Sequence, residues 1–360
     1  MDSKNLTAKA LIALQYVDEL GYKKKAALLG LIKDPSVLPS EKSLVRKVLG
    51  DSQAEEFFKN YAAVDGIIET MERKNVHWTV YTDDDYPEFL YNLEDRPHVL
   101  FVKGNFEALK RDCIGIVGSR RPTHYGEKVA EEFSREFANA GLTVVSGFAR
   151  GIDGIAHKAC VACAKPTVAV FACGIDVCYP AEHRGLAEGI LLNGGALVSE
   201  YPLGTKPLQY HFPERNRIIS GLSRAVFLAQ AAKKSGSLIT VRFAIEQGKE
   251  VFAVPGNIYA AESEGANELL REIPDALVIS PEDVLDALHV KREYVEKHTV
   301  ELTLCESQIV EALHDGEAHF EELLAVTGMG VGDLTNALFN LELNGMIQNT
   351  GGNYYSLAGM

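Results

Sequence analysis

One stretch of this chain, residues 113–157, limits the possible folds more than any other. It reads CIGIVGSRRPTHYGEKVAEEFSREFANAGLTVVSGFARGIDGIAH. A short apolar run ends in a Gly-Ser-Arg turn at 118–120, and apolar residues at helical spacing follow over 126–137. A second apolar run, 142–145, ends in Ser-Gly before another helical segment. Strands that end in glycine loops before helices are typical of a parallel α/β sheet.

Glycine loops of this kind suit a phosphate-binding site. In a parallel sheet, the loops beyond the carboxyl ends of the strands form the ligand crevice. Glycine lets backbone amides approach a phosphate, and helix N-termini favour anions. Arg120 lies in the first loop and Arg150 in the second, and arginine offers forked donors to phosphate. The stretch therefore predicts phosphate binding at this edge of the sheet.

The same alternation of strands and helices continues to about residue 287, so the predicted fold class is α/β. Short loops that contain glycine join the elements, which indicates a doubly wound, mostly parallel sheet with helices on both faces. Two more polar loops lie in this region, FPERNR at 212–217 and KKSGS at 233–237. Because a doubly wound sheet brings such loops together, we predict one phosphate-binding site built from all four.

Other chemistries have less support in this region. The first turn is GSRRPT instead of the G-x-G-x-x-G of nicotinamide enzymes, and no Walker lysine is present. Ser146, Asp153 and His157 resemble a catalytic triad by composition, but no G-x-S-x-G elbow holds the serine. His157 is therefore predicted to pack or to brace a loop. The six cysteines are predicted to be reduced structural thiols, so we expect no metal site. Because the nicotinamide and Walker motifs are missing, we expect no cofactor either.

Changes in composition divide the chain into five predicted parts. Residues 1–75 are expected to be a small helical domain and 76–111 a connector that joins it to the core. The core spans 112–290, and a charged linker follows at 291–300. Residues 301–360 show three helical segments and two short strands, which predict a winged-helix domain.

Charge excludes a common role for the last of these parts. The chain has a net charge of −14, and residues 301–360 contain nine acids and no Lys or Arg. A winged helix that reads DNA needs cations on its recognition helix and wing. We therefore predict that this acidic domain is a protein-interaction module.

The chain also lacks the sequence signals of a membrane protein. No apolar run reaches the ~18–20 residues that a membrane-spanning helix needs. The first residues, MDSKNLTAKA, show no apolar core of a signal peptide. We therefore expect no membrane contact and a cytoplasmic location.

At this point the motifs resemble a known family, the DNA-processing proteins DprA/Smf. The matching segments follow the family order through the middle of the chain: IVGSR (116–120), SGFARGID (146–153) with His157, CGIDVCYP (173–180), SEYPLG (199–204), FPERNRIISGLS (212–223), KSGSLIT (234–240), VFAVPGN (251–257) and GANELL (265–270). The helical front and the winged-helix tail are similar to the accessory modules of longer members.

The resemblance implies more than the residues do alone. It implies an extended Rossmann-like core, a SAM-like helical front and a homodimer. It also implies a binding protein for single-stranded DNA that protects incoming or processed strands and helps to load the RecA recombinase, as in natural transformation. On this basis we expect a non-enzymatic protein whose partners are single-stranded DNA, a RecA-type recombinase and a second copy of the chain.

The resemblance and the loops together give a set of candidate site residues. The candidates for DNA-phosphate contacts are Gly118, Ser119, Arg120, Gly147, Arg150, Lys206, Arg215, Asn216, Arg217, Lys233, Lys234, Gly236 and Ser237. The candidates for base stacking are Phe148 and Phe212, since aromatic rings stack on any base.

The chain departs from the family pattern at two positions. Gln230 stands where the family often has an acid, and Gln209 replaces the usual basic residue upstream of the FPxRN motif, with Lys206 the nearest cation. The two departures either weaken DNA binding or are compensated by the charges of Lys233 and Lys234, and the sequence leaves both alternatives open. The competing functional class is a nucleotide-hydrolysing, N-glycosidase-like Rossmann enzyme, but the chain lacks an obvious P-G-G-x-G-T-x-x-E element.

Overall fold

The computed structural model describes residues 3–32, 34–290, 302–314 and 316–357. The chain forms two compact units, residues 1–292 and 293–360. The predicted linker at 291–300 lies outside the described residues.

The front of the first unit is helical. Its helices are α1 (Ser3–Gln15), α2 (Tyr22–Gly30), α3 (Lys42–Leu49), α4 (Asp51–Ala62) and α5 (Val64–Arg73), with a 3-10 turn at Pro35–Val37. The helices bury Leu11, Leu14 and Phe57 in a common core, as their helical spacing requires.

Strands and helices alternate through the rest of the first unit. Their bounds are β1 (His77–Val80), α6 (Glu88–Tyr91), β2 (Val99–Gly104), β3 (Cys113–Gly118), α7 (His124–Asn139), β4 (Thr143–Ser146), α8 (Ile152–Ala162), β5 (Thr167–Phe171), α9 (Arg184–Leu192), β6 (Ala196–Ser199), α10 (His211–Leu222), β7 (Ala225–Gln230), α11 (Ser237–Glu246), β8 (Glu250–Ala253), α12 (Glu264–Glu272) and α13 (Pro281–Ala287). Single 3-10 turns lie at Phe106–Leu109, Ala181–His183, Ala261–Ser263 and Pro274–Ala276.

These strands form one eight-stranded sheet in the order β1-β2-β6-β5-β4-β3-β7-β8. Strands β3 to β8 pair in parallel, whereas β2 runs antiparallel to β6 and β1 antiparallel to β2. The chain moves outward from β3 to β6 and then returns to β7 on the other side of β3. The strand order therefore reverses between β3 and β7, where a doubly wound sheet opens its ligand crevice. The predicted doubly wound, mostly parallel fold is confirmed.

Both faces of the sheet are covered by apolar packing. One face, which includes Val145 and Val226, packs against α10, α11 and α12. The opposite face packs against α7, α8 and α13 on one side and against α9 and the helical front on the other. Phe227 of β7 is fully buried and stacks on Phe133 of α7 with 4.4 Å between ring centroids. Burial of such side chains stabilises the fold by about 1.5–3 kcal/mol each.

The segment that we predicted to be a connector, 76–111, instead supplies two strands of the sheet. The side chains of Val99 to Val102 in β2 are all fully buried, and they alternate between the two covered faces. A strand with apolar side chains on both faces needs other elements packed against each face. In the sheet, β2 lies between β1 and β6, and β1 forms the edge.

The second unit has the helices and small sheet of a winged helix. Its elements are α14 (Leu304–Leu313), β9 (Ala318–His319), α15 (Phe320–Thr327), α16 (Val331–Leu343), β10 (Ile347–Gly351) and β11 (Tyr354–Leu357). The strands pair in the order β10-β11-β9, and Ile309, Leu323, Leu338 and Leu341 are buried in the core. The predicted winged-helix fold is confirmed.

Membrane-spanning helices and metal-ligand clusters are both absent from residues 3–32, 34–290, 302–314 and 316–357. No helix there combines the length and the apolarity needed to cross a membrane. The same residues hold no group of three or more His, Cys, Asp or Glu side chains placed to bind a metal ion.

Candidate nucleic-acid interface

A cleft of about 740 Å³ opens at the carboxyl ends of the strands, where the strand order reverses. Its walls come from the loops after β3, β4, β5 and β7, which contribute Arg120, Ala149, Tyr179 and Gly236, and from the first turns of α10 and α11. The lining includes Gly118, Arg120, Phe212, Arg215, Asn216, Gly236 and Ser237, all of which were candidates from the sequence. The structure therefore brings residues from all four polar loops to one cleft.

Two glycines allow the loops to approach each other. A Cβ on Gly118 would lie 2.6 Å from Cγ1 of Ile152, and one on Gly147 would lie 2.6 Å from Oδ2 of Asp153 and 2.7 Å from Nη2 of Arg215. Contacts that short do not occur for real side chains, so larger residues would force the loops apart. These positions need glycine because of packing.

The rim of the cleft carries a cation and two aromatic rings. The Arg120 guanidinium lies over the Phe212 ring, 4.9 Å from its centroid, and Phe212 meets Tyr179 edge to face at 5.8 Å. Arg120 is exposed and forms no ion pair with any described residue. Tyr179 is exposed and Phe212 half-buried, so the exposed cation can contact a phosphate while a ring beside it stacks an unpaired base.

Arg215 lies at the bottom of the cleft and is only 3% exposed. Its Nη1 donates to the carbonyl oxygens of Gly147 and Val170, and its charge faces the Asp153 carboxylate. Burial lowers the pKa of Arg215 to about 10, with Asp153 opposing the shift, so it stays charged at neutral pH. Burial acts in the opposite direction on the acid Asp153 and raises its pKa, and the positive charge of Arg215 opposes this shift. Arg215 thus ties the loop after β4 to strand β5 and gives the cleft floor a fixed positive charge.

The N-terminus of α11 closes another side of the cleft. Gly236 precedes this helix, and Ser237 begins it with its Oγ 2.7 Å from Oγ of Ser235. Asn216 reaches the carbonyl oxygen of Gly236 from α10 at 3.5 Å. Backbone amides and hydroxyls at a helix N-terminus favour an anion, in keeping with the predicted phosphate contacts.

Gln230, one of the two departures from the family pattern, braces the loop after β3. Its side-chain oxygen accepts from the Thr123 backbone N–H at 2.9 Å, and its amide donates to Thr123 Oγ1 at 2.8 Å. Thr123 is the N-cap of α7. Gln230 therefore fixes the entrance to α7 as a neutral residue and adds no charge to the site. Gln209, the other departure, lines the cleft as a neutral residue.

Arg217 was predicted to contact phosphate, but the structure places it away from the cleft. Its Nη2 donates to Glu200 at 2.7 Å and its Nε to the carbonyl oxygen of Asp95 at 2.8 Å. The side chains of Arg217 and Glu200 are 6% and 11% exposed, so this ion pair is buried. Arg217 is two residues from Arg215 on the same helix, so it points to a different face and joins α10 to the segment before β2.

Two more of the predicted cations are paired with acids. Arg150 Nε bonds to Glu182, and Lys233 Nζ lies 2.6 Å from Glu268 and 3.6 Å from Glu264. Both pairs are exposed, so their charges are already largely compensated. Lys206 and Lys234 are exposed and form no ion pair with a described residue, but neither lines the cleft. Ser119 braces its own loop, since its Oγ accepts from the Arg121 N–H at 3.1 Å.

Phe148 is the clearest correction to the sequence-based set. It is 1% exposed and stacks on Phe171 with 4.7 Å between centroids, while His183 meets its edge at 5.2 Å. Its φ of 60° turns the ring into the core, so it cannot receive a base in this structure. His157 is also buried, and its Nδ1 lies 2.8 Å from Thr167 Oγ1, as expected for a packing residue.

Sequence reasoning missed Tyr179 and Asp153 as cleft residues. Tyr179 is 47% exposed at the rim and lies in the CGIDVCYP motif, so a polar aromatic in that motif was an available signal. Asp153 closes the SGFARGID motif and was considered only as the acid of a triad, and its place beside Arg215 could not be predicted because Arg215 lies in a separate motif.

Comparison with known proteins agrees with this architecture. Residues 77–289 match the family model for DNA recombination-mediator protein A, and residues 296–353 match the DprA winged helix domain. The chain is similar to protein Smf of Escherichia coli, with 38% identity that covers 80% of this chain and 79% of the relative. It is also similar to DNA processing protein DprA of Streptococcus pneumoniae, with 41% identity over 64% of this chain and 80% of the relative.

Solved structures give the same result. The X-ray structure of DprA from Streptococcus pneumoniae superposes with a TM-score of 0.66 and 34% identity, covering 77% of this chain and 97% of that one. A second solved structure is that of DprA from Helicobacter pylori, which was described for the single-stranded DNA binding mode of that protein. It superposes with a TM-score of 0.54 and 31% identity, covering 59% of this chain and 96% of that one. The protein described here belongs to the DprA/Smf family.

Proposed function

We propose that this protein binds single-stranded DNA in the cleft between β3 and β7. One observation carries the proposal: Arg120 and Phe212 lie together at the rim of a cleft whose floor holds the buried charge of Arg215. The Helicobacter pylori relative is described as a binder of single-stranded DNA, which supports the same ligand class here.

The cleft favours a single strand over a duplex for a physical reason. Stacking on Phe212 or Tyr179 requires a base face that is free, and a duplex hides these faces inside its own stack. The phosphates of the same strand would contact Arg120 and the amides at the start of α11. Such contacts do not depend on base sequence, so the affinity should be similar for strands of different sequence.

We further propose that the protein protects incoming or processed single strands and helps a RecA-type recombinase to assemble on them, as in natural transformation. The family relationship supports this step. We propose a cytoplasmic location on the same basis, because the single strands and the recombinase would be there. An assay of recombinase assembly on a single strand tests this role. ATP hydrolysis by the recombinase is measured with and without the protein, and the protein should increase it.

The winged-helix unit is proposed to contact protein. The α16 helix, which would enter a DNA groove in a DNA-reading winged helix, contains no Lys or Arg. It exposes Val331 and Phe339 at 63% and 62% instead. Apolar side chains without nearby cations suit a protein surface better than a phosphate backbone.

We also propose a homodimer formed through the core unit. The segment that follows β8 exposes Ile258 at 79% and Tyr259 at 91%, and the segment that joins the β8 edge exposes Leu277 at 52% and Ile279 at 76%. An apolar surface at a sheet edge suits a self-complementary contact between two copies.

The proposed activity is binding without catalysis. Asp153 is the one carboxylate among the described residues that line the cleft, and it is held by Arg215 and by the Ala149 N–H at 3.4 Å. A carboxylate with these partners stabilises the loop. Incubation with nucleoside monophosphates should release no free base, whereas release that an Asp153→Asn variant abolishes would favour the nucleotide-hydrolase alternative.

A titration against oligonucleotides tests the proposed ligand. The protein should bind a single-stranded oligonucleotide of mixed sequence more tightly than the matching duplex at every salt concentration. The logarithm of the binding constant should fall linearly with the logarithm of salt, as counterion release requires. Equal affinity for the duplex would contradict the stacking argument.

A further inference from the structure

A second cleft, of about 280 Å³, lies on the helical-front side of the sheet. It opens between the segment after α5 and helix α9, and it shares no lining residue with the first cleft. Its apolar lining includes Val76, Phe171, Ile175 and Leu197, all at most 4% exposed. The floor is thus built from the hydrophobic core itself.

The lining of this second cleft carries three cations, Lys74, Lys103 and Arg184, and two acids, Asp176 and Glu188. Lys103 of β2 and Arg184 at the start of α9 line it, and neither forms an ion pair with a described residue. Lys74 also lines it but is paired with Asp176 at 2.6 Å, and Glu188 is an exposed acid on the same rim. The cleft thus combines an apolar floor with two cations whose charges no described acid compensates by an ion pair.

The chemistry of the lining identifies the kind of ligand. The floor offers no polar side chain that could read the edge of a base. Its volume suits one apolar side chain, and the two free cations lie where flanking carboxylates would meet them. We propose that the second cleft binds an acidic peptide segment of a partner protein, which anchors one bulky apolar side chain between Lys103 and Arg184. This binding does not depend on the proposed DNA function.

The two clefts share one structural link. In the loop after β5, Cys178 lines the second cleft and its neighbour Tyr179 lines the first. Because the loop forms a wall of both, a partner held in the second cleft would sit directly behind the rim of the DNA cleft.

A binding titration with the full-length protein tests the proposal. The probe is a fluorescein-labelled peptide of aspartates and glutamates around one central phenylalanine, read by fluorescence anisotropy at low salt. Control peptides replace the phenylalanine by alanine or the acids by their amides. The probe should bind, and both control peptides should bind more weakly.

Charge reversal identifies where the probe binds. Lys103→Glu and Arg184→Glu should each weaken binding by about tenfold, because each change removes one attraction and adds a repulsion. Arg111→Glu makes the same change at an exposed residue just before β3 that lines neither cleft, and it should have no effect. Arg184 and Lys103 are at least partly exposed, so these variants should fold, and circular dichroism checks this.

Three results would overturn the proposal. The first is a wild-type protein that binds the probe no better than the control peptides. The second is probe binding that Lys103→Glu and Arg184→Glu leave unchanged. The third is a loss of single-stranded DNA affinity in Arg184→Glu as large as that in Arg120→Ala, which would make the second cleft part of a nucleic-acid path.

Discussion

Replacement of Arg217 distinguishes a structural arginine from a DNA-contacting one. In the folded protein its guanidinium donates to Glu200, to the Asp95 carbonyl oxygen and to the Glu214 carbonyl oxygen, at 2.7, 2.8 and 3.1 Å. The side chain is 6% exposed and the partner Glu200 is 11% exposed. An Arg217→Met variant keeps much of the apolar stem but leaves the Glu200 carboxylate buried without its main partner.

Loss of one member of a buried ion pair costs about 3–5 kcal/mol. Lys25 is also buried nearby and favours the charged form of Glu200, so we expect a value near the lower end of that range. Arg224→Met is the matched control. Arg224 pairs with Asp112 at 3.0 Å with side chains 32% and 60% exposed, and loss of such a pair should cost no more than about 1 kcal/mol.

The pH dependence gives an independent check. Burial by itself raises the pKa of Glu200, but the charges of Arg217 and Lys25 more than offset this, so its pKa lies below the ordinary value of 4.5. In the wild type, Glu200 therefore stabilises the fold above about pH 4.5, and this contribution is lost as pH falls through its folded pKa. Without Arg217 the effect of burial dominates, and the folded pKa rises. The difference in unfolding free energy between wild type and variant should then shrink as pH falls toward 4.5.

Trp78, the single tryptophan, makes the assay specific. It packs against the core of the first unit, so its fluorescence during urea unfolding reports that unit alone. The salt dependence of DNA binding by the folded variant should equal that of the wild type. If Arg217→Met costs no more stability than Arg224→Met, or if it lowers the salt dependence, then the assignment of Arg217 to a buried pair is wrong.

Three further predictions concern the DNA cleft, the winged helix and the dimer. Phe212→Ala should weaken single-strand binding by about 1–3 kcal/mol without changing its salt dependence, whereas Phe148→Ala should cost about 3–5 kcal/mol of unfolding free energy because it empties a core site. Deletion of 293–360 should leave single-strand affinity unchanged or slightly tighter in the same titration, and a clear loss would show that the acidic unit binds DNA. Sedimentation should show a dimer at micromolar concentration that Leu277→Asp and Ile279→Asp convert to a monomer, and a wild-type monomer would remove the dimer proposal.

The sequence was sufficient to predict the architecture and the position of the cleft. Glycine loops after apolar runs predict where parallel strands end, and parallel strands bring their carboxyl ends to one edge. For this reason Gly118, Arg120, Asn216 and Ser237 could be assigned to one site although they span more than a hundred residues. The winged helix was equally readable, since its apolar periodicity is regular.

The orientation of single side chains could not be predicted in the same way. Arg215 and Arg217 stand two residues apart on α10, so their side chains point roughly 200° apart around the helix axis. Helical geometry therefore indicates that one of them at most faces the cleft. Which one does so depends on Glu200 and Asp95, whose positions follow from the fold of the whole unit.

Partners that are distant in sequence explain the other differences. Glu182 compensates Arg150 and Glu268 compensates Lys233, and each acid comes from a separate element more than thirty residues away. Phe148 follows a glycine in a loop that looks exposed, but its positive φ directs the ring into the core. The local sequence pattern predicts neither the ion pairs nor the burial of Phe148, because both depend on how the loops fold back on the sheet.

The salt dependence of single-stranded DNA binding by Arg120→Ala tests the central claim most directly. Arg120 is exposed at the rim of the cleft and is paired with no described acid, so its loss should not disturb the fold. The slope of the logarithm of affinity against the logarithm of salt should decrease in magnitude by about 0.7, the value for one phosphate contact on a single strand. Arg111→Ala, at the other end of the sheet, should keep the wild-type slope. An Arg120→Ala variant with the affinity and slope of Arg111→Ala would show that DNA does not bind in this cleft.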